Sequence, residues 1–233
     1  ALVKIASRVM LGATLGELRA EGVLSDPVGG DHVAVKEAVL PFSRFPDADA
    51  VLGPEMRSTG EVMGIDLTAG LAFAKAQLAA GDRMPSEGTV FMSLADRDKP
   101  TGARAAARFV DLGFDIVATA GTADHLRSEG IEVSRVLSKL SGADDEPAAV
   151  TAVDLIASGE IHMVVNSPRG RGPRADGAYI RSAAGTHNVP LLTTAAAALA
   201  AANGISDTRR HRPAVRSLQE YHAGVSVGPG EAP

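Results

Sequence analysis

The second half of this sequence alternates short apolar runs with segments of helical periodicity, and no other feature constrains the fold as strongly. The apolar runs predict five strands, at 89–94, 114–118, 133–136, 161–166 and 189–192. The periodicity between them predicts helices at 99–112, from Gly121 onward, and at 147–158, 176–186 and 194–202. This order is typical of an α/β fold with a five-stranded parallel, doubly wound sheet covered by helices on both faces. Right-handed crossovers bring the carboxyl ends of the strands to one edge, where such sheets bind ligands.

The first 86 residues have a different organisation. They predict helices at 2–11, 14–20 and 67–80 and an extended segment at 33–42. A loop, LGPEMRSTGEVMG from Leu52 to Gly64, combines three glycines and a proline with charged side chains. Such pieces would bury little apolar surface by themselves, so residues 1–86 are interpreted as the tail of a larger domain. The turn-rich stretch GDRMPSEG separates this tail from a second domain, 87–233.

The composition limits the classes of function. A net charge of −5 argues against a general surface for nucleic acids or anionic membranes. The sequence has no cysteine, which excludes disulfides and thiolate catalysis. The longest alanine-rich run, 193–202, is too short to cross a bilayer, and no signal-peptide pattern stands at the N-terminus. The sequence therefore predicts a cytoplasmic protein.

The strongest candidate ligand site lies at the ends of the predicted strands. Thr119, Gly121 and Thr122 stand where the second strand meets its helix, and hydroxyls with amides at a helix start can hold a phosphate or a carboxylate. Lys99 and Lys139 follow the first and third strands and would add positive charge. Taken singly, the threonines are also typical of a helix cap and the lysines of a solvated surface. Their convergence on one edge favours a site for a phosphomonoester.

Other polar residues offer weaker signals. Asn166 and Ser167 end the fourth strand, where an amide can bind a base or a sugar. Asp176 and Arg181 begin the next helix, where the helix dipole alone explains an acidic first turn. Glu37, in an apolar strand, indicates either an exposed sheet edge or a cation site. The histidines lack metal-ligand spacing and no catalytic-triad order or P-loop occurs, so no catalytic or metal-binding residue is predicted.

Several runs of sequence closely resemble the large chain of carbamoyl phosphate synthetase. The resemblance extends from KIASRVMLG at Lys4 to SLQEYHAG at Ser217. Its most specific part is VKEAVLPFSRFPDADAVLGPEMRSTGEVMG, and it includes GFDIVATAGTADHL and the succession of NSPRG, IRSAA and VPLLTT. GFDIVATAGTADHL is similar also to methylglyoxal synthase and to the cyclohydrolase domain of purine biosynthesis, which have a related fold.

This resemblance implies the regulatory part of an ATP-dependent ligase, the glutamine-hydrolysing carbamoyl phosphate synthase. Residues 1–86 would be the C-terminal remnant of an ATP-grasp domain, and residues 87–233 a methylglyoxal-synthase-like allosteric domain. The family forms carbamoyl phosphate for pyrimidine and arginine biosynthesis from bicarbonate, glutamine-derived ammonia and ATP. It uses Mg²⁺ or Mn²⁺, with K⁺ as a further ion, and a glutamine amidotransferase small chain. The family's ATP-grasp metal ligands lie upstream of Ala1, so these residues are expected to hold no cofactor and to be inactive without the remainder of the large chain.

The resemblance also implies effector sites. In this family a pyrimidine nucleotide such as UMP inhibits, and IMP and ornithine activate many members. The resemblance implies that the nucleotide's phosphate is bound by Lys99, Thr119 and Thr122, with Lys139 beside them. Its ribose and base would contact Asn166 and Ser167. Ornithine would bind between the two domains, in contact with Glu37, Ala38, Leu40, Leu52 and Thr193. Enteric members have a second threonine where this chain has Ser167-Pro168 and a tyrosine at Leu191, and the latter difference weighs against ornithine regulation.

Two other functions stay open at this stage. A free-standing lyase of the methylglyoxal synthase type would need a carboxylate base near the phosphate, and Asp144 and Asp145 follow Lys139 at a suitable distance. A module that only self-associates would bind no nucleotide at all.

Overall fold

The structure is a computed structural model that describes residues 2–24, 31–40, 55–137, 150–167 and 175–222. The chain divides into two compact units. One unit consists of residues 1–32 with 215–233, and the other of residues 33–214. The boundary expected between residues 86 and 87 remains a prediction.

The described part of the first unit contains three helices. They are α1 (Leu2–Met10), α2 (Leu15–Ala20) and α9 (Leu218–His222). α2 starts as the sequence predicts because Thr14 and Glu17 form a capping box, in which each side chain accepts a hydrogen bond from the other residue's amide. The guanidinium of Arg8 pairs with the Glu21 carboxylate and so ties α1 to the end of α2.

The second unit begins with a two-stranded antiparallel sheet. β1 (Val33–Val39) pairs with β2 (Gly60–Asp66), and α3 (Ala69–Ala80) packs against both strands. The Thr68 hydroxyl caps the start of α3. The expectation of a loop as far as Gly64 is wrong, because the backbone is a paired strand from Gly60 onward.

Gly64 shows why that run needs a glycine inside a strand. A Cβ atom at this position would lie 2.0 Å from the carbonyl oxygen of Ala72 and 2.6 Å from the amide nitrogen of Ala76. Both atoms belong to the backbone of α3, which a side chain cannot displace cheaply. Glycine therefore allows β2 to approach the helix this closely.

The remainder of the second unit is the five-stranded sheet that the sequence predicts. Its strands are β3 (Thr89–Ser93), β4 (Asp115–Thr119), β5 (Arg135–Leu137), β6 (Met163–Asn166) and β7 (Leu191–Leu192). All neighbours are parallel, in the order β5–β4–β3–β6–β7. The helices that follow the strands are α4 (Lys99–Asp111), α5 (Ala120–Ser128), α6 (Ala152–Ala157), α7 (Ala175–Thr186) and α8 (Ala195–Arg210). A short 3-10 turn at 96–98 precedes α4.

Each face of this sheet has its own apolar core, because alternate strand residues point to opposite sides. On one face Val90 and Met92 pack with α4, α5 and α8, where Phe109 is fully buried. On the other face Phe91 and Val164 pack with α6 and α7. The helices therefore cover both faces, and the predicted α/β class with a doubly wound parallel sheet is confirmed.

Two helices differ from their predicted bounds. α8 continues to Arg210, past the predicted end at residue 202, because Gly204 lies inside a close contact with α3. A Cβ atom at Gly204 would lie 3.0 Å from the carbonyl oxygen of Gly70. α6 begins at Ala152, later than predicted, because Thr151 caps it.

α3 and α8 join the small sheet to the large one within this unit. The Thr68 hydroxyl donates to Oδ2 of Asp207 at 2.7 Å. Phe73 of α3 lies in the same apolar core as Ala198 and Ala202 of α8. None of the helices in the described ranges combines the length and the apolar composition that a membrane crossing requires.

Candidate functional site

The carboxyl ends of β3 and β6 lie side by side at the centre of the large sheet. Ser93 of β3 is the register partner of Asn166 of β6. From β3 the chain leads through α4 to β4 on one side, whereas from β6 it leads through α7 to β7 on the other. The crevice outside these two strand ends is the topological switch point, which is the usual ligand position in an open α/β sheet.

The loop after β3 is anchored to the strand ends on both sides. The Leu94 amide donates to the Thr122 hydroxyl at 3.0 Å, and the Ala95 amide donates to the Ser167 hydroxyl at 2.8 Å. The Thr119 hydroxyl also donates to the Thr122 hydroxyl, at 3.2 Å. These bonds bring three of the predicted site residues together around the end of β3.

The predicted nucleotide residues divide into a buried floor and an accessible rim. Thr122, Asn166 and Ser167 are buried, and Thr122 has no exposed surface at all. Gly121 is exposed, and Lys99 and Thr119 are partly exposed. A ligand above this edge would therefore meet chiefly the rim, because the floor residues expose at most 5% of their surface and hold the strand ends in place.

The ammonium of Lys99 already has a partner. Lys99 is the first residue of α4, and its Nζ lies 2.8 Å from Oδ1 of Asp96 in the preceding 3-10 turn. The Asp96 side chain is 81% exposed, so water can solvate its carboxylate when Lys99 turns to another anion. The exchange of Asp96 for a ligand phosphate would therefore cost little.

Several predicted residues lie outside the described part of the chain. They are Leu52 of the ornithine set, Lys139 of the nucleotide set, and Asp144 and Asp145 of the lyase alternative. Their roles stay predictions.

Asn166 has a partner that the sequence analysis did not assign to the site. Nη1 of Arg181 in α7 donates to Oδ1 of Asn166 at 2.7 Å, and both residues are buried. The sequence analysis placed Arg181 only at the start of a helix, and this buried partner is a finding of the structure. The apolar residues near Arg181 in the sequence could have indicated this. Ile180 and Ala184 belong to the apolar core, and an arginine buried beside them needs a hydrogen-bond partner.

A second candidate site is a cavity of about 660 Å³ bounded by β1, α3, α7 and β7. A cavity of this size suits a small molecule. The structure brings four of the residues of the predicted ornithine set to its wall, namely Glu37, Ala38, Leu40 and Thr193. Leu191 and Arg181 line it as well.

Two carboxylates at this cavity have perturbed acidity. Burial raises the pKa of Glu37 and the nearby Asp82 carboxylate raises it further, against the opposing effect of a hydrogen bond from Gln77 Nε2 at 2.8 Å. Burial also raises the pKa of Asp82, which lines the cavity although much of its residue surface is exposed. A cation bound here would offset the cost of ionising these groups.

Gln77 and Asp82 were not predicted as residues of a site. Gln77 belongs to a helix whose other signals were apolar, and Asp82 lies in the stretch interpreted as a domain boundary. Within the described ranges no group of three or more histidine, aspartate or glutamate side chains is placed to hold a metal ion.

Comparison with known proteins identifies the family. The family described as "MGS-like domain" matches residues 102–193. The sequence is 49% identical, over 95% of its length, to the carbamoyl phosphate synthase large chain of Mycobacterium tuberculosis (strain ATCC 25618 / H37Rv). It is 51% identical to the large chain of Beutenbergia cavernae and 46% identical to that of Gemmatimonas aurantiaca, again over 95% of its length. The chain belongs to the carbamoyl phosphate synthase large-chain family.

The chain spans about a fifth of the length of these curated relatives, since the matches cover 21% of the M. tuberculosis and B. cavernae chains and 19% of the G. aurantiaca chain. The matched MGS-like region begins inside α4 and runs to Thr193, so it includes the ends of β4 and β6 but not the end of β3. The activity of the whole large chain is therefore considered below as a proposal.

Proposed function

We propose that this chain is the regulatory C-terminal part of the large chain of a glutamine-hydrolysing carbamoyl phosphate synthase and binds a nucleoside monophosphate at the carboxyl edge of its large sheet. One observation carries the proposal. The loop after β3 is fastened to Thr122 and Ser167, which brings Lys99, Thr119 and the start of α5 around one switch-point crevice. An ammonium group, a hydroxyl and a helix N-terminus together suit a phosphate.

The cavity supports a second effector. Its half-buried Glu37, the neighbouring Asp82 and the cations Arg83 and Arg181 together offer both signs of charge, which suits a small zwitterion with an extra amine. Ornithine has this chemistry. Leu191 lines the same cavity without a hydroxyl to offer, so we expect ornithine to bind more weakly than the nucleotide.

Titration calorimetry of this chain with UMP, IMP and ornithine in turn tests both sites. We expect UMP or IMP to bind, and Lys99→Ala or Thr122→Val to weaken that binding by about 1–3 kcal/mol, because each removes a charged or buried hydrogen-bonding group. The control is Lys4→Ala, which makes the same change of charge on an exposed residue of the other compact unit. Equal binding heats for Lys99→Ala, Thr122→Val and Lys4→Ala would contradict the site assignment.

The remaining parts of the proposal concern the whole enzyme. The large chain would form carbamoyl phosphate from bicarbonate, glutamine-derived ammonia and ATP with Mg²⁺ or Mn²⁺, in the cytoplasm, for pyrimidine and arginine biosynthesis. Its partners would be the small glutamine amidotransferase chain and the rest of the large chain, whose ATP-grasp domain ends within residues 1–86. We expect no carbamoyl phosphate formation by this chain alone, and a positive isotope assay would contradict that expectation.

The alternative is a lyase, since the MGS-like match includes Thr119, Thr122 and Asn166 of the crevice. Incubation with dihydroxyacetone phosphate distinguishes the two functions. We expect no methylglyoxal to form, and its formation would favour the lyase. A chain that self-associates but binds none of these ligands would favour an assembly role instead.

A further inference from the structure

The buried pair of Asn166 and Arg181 restricts what the crevice can recognise. Only 4% of Asn166 and 5% of Arg181 remain exposed, and the hydrogen bond between them measures 2.7 Å. Asn166 ends β6 directly beside the end of β3, so its side chain belongs to the switch-point crevice. Arg181 approaches it from α7, on the face of the sheet opposite to α4 and α5.

The chemistry of the two groups decides how the carboxamide is turned. A guanidinium has five N–H donors and no acceptor, so Arg181 can bond only to the oxygen of Asn166. The Asn166 nitrogen, with its two N–H donors, then points away from Arg181. A ligand atom that hydrogen-bonds to this nitrogen must therefore be an acceptor.

We propose that Arg181 is a positioning residue that fixes Asn166 as a hydrogen-bond donor, so that the nucleotide bound in the crevice must present an acceptor oxygen or nitrogen of its sugar or base at this point. The inference rests on the proposed function. Asn166 lies two strands away from Thr119, about 10 Å at the usual strand spacing, which is too far for a phosphate held at Thr119. The sugar or the base is then the part of the nucleotide that reaches it.

Gly177 leaves the space that this pairing needs. It lies one helical turn before Arg181 in α7, and a Cβ atom there would approach Nη1 of Arg181 to 2.7 Å and Oδ1 of Asn166 to 3.5 Å. Gly177→Ala would thus require the guanidinium to shift, which disturbs its bond to Asn166 without changing any charge.

Five variants of this chain and UMP as the probe test the inference by calorimetry. Asn166→Asp keeps an oxygen for Arg181 but turns an acceptor toward the crevice, so we expect it to bind UMP more weakly than Asn166→Ala does. Arg181→Met and Gly177→Ala should each lose about tenfold in affinity, the usual effect of one hydrogen bond. Arg181→Lys, again a donor without an acceptor, should stay within about twofold of the unmodified chain.

A double-mutant cycle separates positioning from general damage. If Arg181 acts through Asn166, the double variant Arg181→Met/Asn166→Ala should bind no more weakly than Asn166→Ala. Arg181→Met combined with Lys99→Ala should instead show additive losses, because Lys99 makes a separate contact. Thermal unfolding of each variant shows whether it folds. If Arg181→Met does not fold, Gly177→Ala replaces it in the cycle.

Each result has a definite meaning. Additive losses for Arg181→Met and Asn166→Ala, or unchanged binding by Asn166→Asp, would overturn the inference while leaving the proposed function intact. Absence of UMP and IMP binding by the unmodified chain would overturn the proposed function and this inference with it. Non-additive losses together with recovery in Arg181→Lys would support both.

Discussion

At the scale of single residues, Thr122 acts as an internal brace at the candidate site. Its hydroxyl accepts from the Leu94 amide and from the Thr119 hydroxyl, and the residue is fully buried. The sequence analysis assigned Thr122 to a ligand phosphate. Its position in the floor indicates that it also holds the loop after β3 against α5.

Thr122→Val should therefore lower the stability of the protein as well as nucleotide affinity. The buried Leu94 amide would lose its partner, which costs about 1–3 kcal/mol in the free energy of unfolding. Urea unfolding measures this loss. Thr119→Val is the matched control, because the Thr119 side chain donates one hydrogen bond and is partly exposed. An equal loss in the free energy of unfolding for both variants would contradict the role of Thr122 as a brace.

The carboxylates of the cavity predict a pH dependence. The pKa values of Glu37 and Asp82 are raised, chiefly by burial, so the folded state holds its protons more tightly than the unfolded state does. The free energy of unfolding should then fall as the pH rises from about 4, the ordinary carboxyl value, through the raised values.

Asp82→Asn should remove part of this fall, because an amide does not titrate. Asp111→Asn makes the same chemical change at an exposed position and should leave the fall in place. Urea unfolding at a series of pH values provides the comparison. An identical pH profile for Asp82→Asn and the unmodified chain would argue against burial as the cause.

At the scale of elements, the contact between β2 and α3 depends on one glycine. Gly64→Ala would place a methyl group against backbone atoms of Ala72 and Ala76, which must move apart. Such overpacking typically costs about 1–3 kcal/mol. Gly60→Ala lies in the same strand with no atom within 4 Å of the added methyl group, so it should change stability little. Thermal unfolding of the two variants measures the difference, and similar melting temperatures would exclude the close contact.

The elements also show what local pattern can predict. The alternation of strands and helices after Thr89 was predictable, because hydrophobic periodicity and helix-capping residues can be recognised within a few residues of sequence. The strand at Gly60–Asp66 was not, because its glycines signal a turn unless the backbone of α3 is known to lie against Gly64. The length of α8 was not predicted, because in the sequence alone Gly204 signals the end of a helix. In the structure Gly204 lies inside α8 and packs against Gly70.

At the scale of the whole molecule, the compact unit 33–214 contains both candidate sites. A chain of these residues should therefore fold cooperatively and keep its UMP affinity. A chain of residues 87–214 should be less stable, because it loses Thr68 and Phe73, which bond to and pack against α8 and its core. Calorimetric unfolding of the two chains tests this. Equal stability would favour a boundary between residues 86 and 87.

The sequence by itself determined the parallel sheet and placed most of the predicted nucleotide residues at one edge of it, because apolar periodicity and strand-end position are local properties. Only the resemblance to a family predicted a shared site for Glu37, Ala38, Leu40 and Thr193, which line one cavity. Tertiary structure alone decided that Arg181 of α7 bonds to the Asn166 carboxamide and that Asp82 lies at the cavity of Glu37. These pairs join elements that are distant along the chain, and a hydrogen bond or a shared cavity exists only once packing has brought both partners together.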